Sequence, residues 1–412
     1  MRRSLLIIIF ARTTLNMAFR IVYPFLPAIA RGLGISLGAA GQLVALRGLA
    51  GLIAPVTGPL ADRYGRRRVM ETGLLAFAVG SLVLALAHRF WLAVLAFVLV
   101  GVSKSLYDPA MQAYLGDRIP YEERGRAMGL TELAWSASWL LGVPASGLLM
   151  ERWGWHSPWF VLTLLAVVGW WLTAWGLPRA RVARAPTAQA PVAGRAAQTI
   201  RRWGALLAHR NVASAMIVGL TIMTAIETVL IVYGAFLESA FGLSLAALGL
   251  ASIVVGVAEA VGEFGSAGLV DRIGKRRSVA AGLLLLGLSF LVLPRLAGSL
   301  VAALAGVMLM MVSFEFALVS FLPLVSELVP ERRADVLSIN VAVLSLAHMV
   351  GAALGGWLWQ FHSIAVNTLA ATALVVVGLI ALSLTREGTV LSQEVRPQPM
   401  ARPGGVTGDS IE

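Results

Sequence analysis

Gly58-Pro59-Leu60-Ala61-Asp62-Arg63-Tyr64-Gly65-Arg66-Arg67-Arg68 stands between two long apolar runs, and 209 residues later Asp271-Arg272-Ile273-Gly274-Lys275-Arg276-Arg277 stands between two more. A weaker echo follows, beginning at an offset of 210: Asp117-Arg118-Ile119-Pro120 with Arg124-Gly125-Arg126-Ala127 is answered by Glu327-Leu328-Val329-Pro330 with Arg332-Arg333-Ala334. The chain is therefore read as two copies of one unit, each carrying the same basic loop at the same place.

The unit is a membrane unit. Of 412 residues 58% are hydrophobic and 13% charged, against roughly 45–50% and 25% in soluble domains. A helix needs about 20 mainly apolar residues to cross the hydrocarbon core. Spans are predicted near 5–30, 38–60, 70–88, 91–114, 127–149 and 158–177, then 211–237, 245–270, 279–296, 299–325, 336–359 and 363–384. Met1-Arg2-Arg3 and the following apolar run superficially suggest a secretory signal. The run is too long for one, and Arg12, Asn16, Arg20, Pro24 and Pro27 interrupt it.

Lys and Arg are retained on the cytoplasmic side of a membrane protein. With the N-terminus inside, the basic loops fall inside, and only Arg31, Arg89, Arg152 and Arg295 fall outside. Both termini are thus predicted cytoplasmic, in a multi-pass protein of a bacterial-type inner membrane. Trp91, Trp153, Trp155, Trp159, Trp357 and Trp359 are expected to ring the outer interface. The net charge of +12 does not imply nucleic acid, because the basic residues sit between apolar runs and not on one solvated face. No cysteine is present, which excludes disulfides and thiolate chemistry. No phosphate-binding loop, metal cluster or catalytic triad is recognisable, so neither an enzyme nor a cofactor is expected.

The predicted organisation is a six-helix bundle over 1–177, a cytoplasmic linker over 178–210, a second bundle over 211–385 and a polar tail over 386–412. The linker begins Pro/Ala/Arg-rich. Its end, with Ile200, Trp203 and Leu207 at helical spacing, reads equally as a short helix on the inner leaflet or as plain linker.

The ionisable residues inside the spans are the most informative feature. Arg12, Arg20, Arg47, Lys104, Asp108 and Glu132 fall in the first half; Glu227, Glu259, Glu263, Glu315 and His348 fall in the second. Each charge facing lipid costs about 2.5–3.5 kcal/mol on insertion scales, so these groups are expected to face each other or water. A cationic half thus confronts an acidic one. Arg12, Asn16 and Arg20 share one stripe of the first span; Arg20 is expected to face Glu227, while Arg12, near the cytoplasmic end, is expected to snorkel. Lys104 and Asp108 form an i,i+4 pair that can neutralise itself. Gly48, Gly51, Gly351, Gly355 and Gly356 mark close helix packing.

The stretch 58–67 resembles, in full, the loop 2–3 signature of the major facilitator superfamily; the second copy has Ala267 in place of its first glycine. Tyr23-Pro24-Phe25-Leu26-Pro27 is similar to the proline pair of drug/proton antiporters in that superfamily, and Gly142-Val143-Pro144-Ala145-Ser146-Gly147 is a partial match to their glycine-proline motif. The resemblance covers 4–385. It implies an all-α membrane fold of twelve transmembrane helices in two pseudo-symmetric six-helix bundles that rock about a central site. Spans 1, 4, 7 and 10 would line the cavity, and 2, 5, 8 and 11 would form the sliding interface.

The candidate substrate and coupling set is Asn16, Arg20, Tyr23, Arg47, Lys104, Asp108, Glu227, Glu259, Glu263, Glu315 and His348. Desolvation favours a protonated carboxyl and a nearby Arg favours the ionised one. A Glu that loses its Arg as the halves rock would therefore take up a proton; Glu227 is the first candidate, Glu263 or Glu259 the second. His348 reads either as a titrating group or as a neutral hydrogen-bonding partner. The candidate cytoplasmic gate is Gly58, Asp62, Arg63, Gly65, Arg66, Asp271, Arg272, Gly274 and Lys275. There Asp62 would accept charge-assisted hydrogen bonds near a helix N-terminus, and Arg67, Arg68, Arg276 and Arg277 would anchor on lipid headgroups.

The expected function is alternating-access transport, with protons, a small-molecule substrate and the bilayer as partners and the monomer as the working unit. Proton-coupled efflux of an amphiphilic or drug-like solute leads. Symport of a zwitterionic nutrient is the first alternative, and a non-transporting receptor or scaffold on the same fold the second.

Overall fold

The computed structural model describes residues 2–49, 60–61, 63–178 and 201–385, and in them all regular structure is helical. Eleven helices are long and apolar enough to cross a membrane, and Leu37–Leu49 is a shorter apolar helix among them. In chain order the first half contains α1 (Arg2–Leu33), α2 (Leu37–Leu49), α3 (Arg66–Ala85), α4 (Phe90–Arg118), α5 (Tyr121–Ala137), α6 (Val143–Trp153) and α7 (Ser157–Gly176). A π-helical turn, Ser138–Gly142, joins α5 to α6 in line, so the two make one expected span. The second half contains α8 (Arg210–Leu230), α9 (Tyr233–Phe241), α10 (Leu245–Ala251), α11 (Ile253–Ile273), α12 (Lys275–Val292), α13 (Leu300–Ser326), α14 (Arg333–Leu358) and α15 (Ile364–Leu384).

Each helix is cut where its sequence demands. Ser36 accepts from the Ala39 amide at the start of α2, and Ser244 from the Ala247 amide at the start of α10, the usual side-chain answer to an unsatisfied helix N-terminus. Gly65 and Gly274, one per repeat, stand at φ 91° and 92° immediately before α3 and α12. Side chains rarely adopt that region, which accounts for glycine in both copies of the basic loop.

Apolar side chains cover the outside as well as the core. Leu75, Val79 and Leu82 on α3, Leu284, Leu288 and Leu291 on α12, and Val376, Val377 and Ile380 on α15 are exposed, as helices bathed in lipid require. Trp91, Trp153 and Trp357 are exposed as expected of an interfacial belt; Trp159 and Trp359, expected beside them, are instead buried. Their positions at helix ends turn them inward against neighbouring helices.

The halves meet at the end of the bundle remote from the termini. Gly41 and Gly48 on α2 lie on the backbone of α14, with Gly41 against Ala352 and Gly356, and Gly48 against Ser345 and Met349. Gly147 on α6 meets Leu245, Gly249 on α10 meets Pro144, and Gly234 on α9 meets Pro24. Two polar latches lie at the same end: Arg31 pairs with Glu238 at 2.8 Å, and Glu151 accepts from the Ser244 hydroxyl at 2.8 Å and the Ala246 amide at 2.6 Å. Backbones come this close only where side chains are small. A short helix over 201–207 is described within the expected linker; Leu206 is buried against the protein, Trp203 is half-buried and Leu207 is exposed. Residues 179–200 and 386–412, the remainder of the linker and the tail, lie outside the described residues, as does Gly51.

Candidate functional site

A cavity of about 480 Å³ lies between the halves, lined by α1, α2, α4 and α5 from the first and α8, α11, α13 and α14 from the second. The helices expected to slide thus also line it. Ten of the eleven predicted substrate and coupling residues face it, and Asn16 reaches it through Lys104.

Four charges of the first half, Arg12, Lys104, Asp108 and Glu132, neutralise one another. Arg12 is 3% exposed and stands 2.8 Å from Glu132 and 3.7 Å from Asp108, so it does not snorkel: its stripe of α1 turns toward α4 and α5. Asp108 also takes Lys104 at 3.0 Å, as the i,i+4 spacing predicts. The Lys104 ammonium donates in addition to Asn16 and lies 4.1 Å from the centroid of the Trp135 ring. Two cations and two carboxylates close one network, within which burial of each charge is matched by a partner.

Arg20 and Tyr23 both reach from the first half to a carboxylate of the second at the cavity centre. Arg20 pairs with Glu259 on α11, and the expected Arg20–Glu227 pair does not form. The Arg20 guanidinium lies 4.4 Å from the Trp135 ring centroid and 5.2 Å from that of Trp139, and this stacking holds it over α5, on the side facing α11. Glu227 instead accepts from the Tyr23 hydroxyl, three residues further along α1, at 3.1 and 3.2 Å, and lies 3.0 Å from Nδ1 of His348. Arg47 donates to the Phe19 carbonyl at 3.3 Å and lies over its ring, beside Tyr23 and Glu227.

Glycines make room for the acids of the second half. A Cβ on Gly351 would come within 2.6 Å of the Glu227 Cβ, and one on Gly262 would collide with Glu315. Glu315 and Glu259 are buried on the cavity wall, and Glu263 beside them is half-buried.

In the candidate gate, Gly58 and Asp62 lie outside the described residues, and the side chain of Asp271 is likewise not described. Arg63 and Arg272 are exposed, Arg63 over the ring of Tyr64. Arg66 pairs with Asp117 at 2.9 Å and donates to the Ala113 carbonyl; its repeat mate Lys275 pairs with Glu327. Both contacts tie a loop to its own half. Arg67 and Arg276 depart from the expected headgroup anchoring. Arg67 donates to the carbonyls of Ala174 and Leu177, and Arg276 to those of Leu382 and Ser383, where bare carbonyls at a helix C-terminus attract a cation. Arg68 and Arg277 are exposed.

The candidate set omits Glu132, Trp135 and Trp139, which complete the site. Their signal was present: positions 132, 135 and 139 fall on one stripe of a helix, and tryptophans away from the interfacial belt ask for a cation.

Two membrane-crossing bundles closed on a charged central cavity define a membrane carrier. The chain belongs to the Major Facilitator Superfamily, whose family model matches residues 8–238 and 215–404. It is similar to the uncharacterized MFS-type transporter YceJ of Bacillus subtilis (strain 168), with 23% identity over 338 residues, 82% of this chain and 84% of that protein. Multidrug resistance protein 2 of the same strain is 30% identical over 149 residues, which span 36% of this chain and 37% of that protein. Among solved structures, a mutant of the nucleoside transporter NupG superposes with a TM-score of 0.78 at 12% identity, over 93% of this chain and 99% of that one. The chain is accordingly a membrane transporter and not an enzyme.

Proposed function

We propose that the protein is a proton-coupled exporter of an amphiphilic or drug-like solute, working by alternating access in a bacterial cytoplasmic membrane. The observation that carries this reading is that the two buried polar contacts joining the halves at the cavity centre, Arg20–Glu259 and Tyr23–Glu227, each end on a carboxylate of the second half. Rocking the halves separates both. A carboxylate deprived of its donor in a desolvated site takes up a proton, and one that regains it lets the proton go. Membrane potential adds about 2.3 kcal/mol per charge per 100 mV to such a cycle. The cavity wall suits an amphiphile, since Phe19, Trp135, Met223, Met311 and Phe314 stand among the charges. Export direction is supported by the likeness to a multidrug resistance protein and by the proline-pair similarity in α1.

One observation favours symport of a zwitterionic nutrient as a second reading. Among the described residues, Arg47 on one half has no carboxylate ion pair and Glu315 on the other has no cationic one, while both line the cavity. A solute carrying both signs would satisfy both.

The test is ethidium movement in proteoliposomes under an imposed pH gradient, with and without Glu227→Gln. Gradient-driven ethidium transport by the unaltered chain, lost in the variant while it still inserts, is the expected result. Unchanged gradient-driven flux in Glu227→Gln removes Glu227 from the mechanism. Uptake of an amino-acid zwitterion with protons, in place of ethidium exchange, selects the second reading.

A further inference from the structure

Glu227 borders the cavity but offers almost none of its surface to solvent. Its side chain is 2% exposed. The buried Tyr23 hydroxyl donates to the carboxylate, 3.2 Å from one oxygen and 3.1 Å from the other, and the Glu227 stem lies against Gly351. The remaining contact is the imidazole of His348 on α14, whose Nδ1 is 3.0 Å from Oε2 of Glu227. The His348 side chain is 44% exposed and forms part of the cavity wall. No partner other than Glu227 is found for this ring among the described residues. One ring nitrogen thus faces the buried carboxylate and the rest of the ring faces the cavity.

We propose that His348 is a proton port, the group through which Glu227 loads and unloads. The inference rests on Glu227 being the coupling carboxylate. Loading begins with the neutral ring protonated at Nδ1. A proton from cavity solvent bonds to Nε2, the Nδ1–H bond breaks and an O–H bond forms on Glu227, which leaves a neutral ring protonated at Nε2. Unloading reverses each bond change, returning the proton from Glu227 to Nδ1 and from Nε2 to solvent. The cavity itself changes sides during transport, so a single port serves both directions, and each unloading resets the tautomer. A carboxylate this little exposed, served by one relay, exchanges few protons with solvent between turnovers.

The charged and titratable groups around this pair all leave it intact. Tyr23 and Arg20 come from α1, Arg47 from α2 and Glu315 from α13, while α15 brings the neutral Asn367, which donates to the Thr228 carbonyl. None stands between the His348 ring and the cavity.

The experiment is a pH jump on the intact chain in liposomes, following the carboxyl C=O stretch by time-resolved infrared, with Glu227→Gln identifying the Glu227 band. His348→Gln keeps a donor for Glu227 and cannot relay. The expected result is a Glu227 band of unchanged final amplitude that appears at least tenfold more slowly, a slowing that free imidazole in the buffer reverses in His348→Ala. A merely structural histidine gives neither the rate loss at constant amplitude nor the rescue. An unchanged rate in His348→Gln overturns the port and leaves the coupling role of Glu227 standing. Absence of any pH-dependent band assignable to Glu227 overturns both.

Discussion

Arg67 and Arg276 hold equivalent places in the two repeats and do the same work: each guanidinium donates to the final carbonyls of the last helix in its own half. Arg67 reaches the Leu177 carbonyl at 2.7 Å and Arg276 that of Ser383 at 3.1 Å. The basic loops therefore fasten the end of each bundle to its third helix, whatever else they do at a membrane surface. Hydrogen bonds to charged groups contribute about 1.5–3 kcal/mol each. Arg67→Ala and Arg276→Ala should each lower unfolding stability in detergent by about that much. The sites are far apart, so the double variant should lose the sum; thermal or denaturant unfolding of the purified chain checks both statements.

Arg20 and Glu259 form a buried pair between halves, and removing one member leaves a desolvated charge. Arg20→Gln should therefore cost about 3–5 kcal/mol. Arg20→Gln combined with Glu259→Gln should recover most of that loss while transport stays absent. A double-mutant cycle in stability, run beside a flux assay, separates the two effects; a double variant no more stable than Arg20→Gln contradicts the pairing.

Gly41 governs closure at the end remote from the termini. A Cβ there would stand 2.8 Å from the Ala352 carbonyl oxygen and 3.2 Å from the Gly356 Cα, both backbone atoms with no rotamer to yield. Gly41→Val should push α2 from α14 and shift the population toward a form open at that end. The chain has no cysteine, so spin labels placed at positions 31 and 238 report without background. Their separation should increase in Gly41→Val relative to the same label pair without it.

Gly351 bears on Glu227 in a different way. Overpacking a filled contact costs about 1–3 kcal/mol, and here the atoms displaced belong to the candidate coupling carboxylate. Gly351→Ala should reduce both stability and pH-gradient-driven flux. Gly116→Ala is the control: nothing lies within 4 Å of a Cβ there, and an alanine inside a helix should raise stability by up to about 1 kcal/mol.

The repeat, the spans and the membrane setting were legible because they rest on long-range averages: apolar run length, basic loops and an offset kept over half the chain. The identity of most cavity residues was legible for a related reason, since an ionisable side chain in hydrocarbon has few places to go. Partner choice was not. Whether Arg20 meets Glu227 or Glu259 depends on its rotation around α1 and on the indole rings of Trp135 and Trp139, neither of which shows in the pattern of α1 itself. Arg12 illustrates the same limit: nearness to a helix end suggested an interfacial role, whereas the facing carboxylates of Asp108 and Glu132 decided a buried one.

The π-helical turn at Ser138–Gly142 has a consequence for how one rod can serve two purposes. Its wider i→i+5 winding absorbs one extra residue inside a helix that otherwise keeps its course. Below that turn, Glu132 and Trp135 look into the cavity; above it, Pro144 and Gly147 press on α10. Deleting one residue there should leave an ordinary α-helix whose two segments face as they do now, so the rod would keep both its lining of the solute chamber and its seam with the opposing bundle.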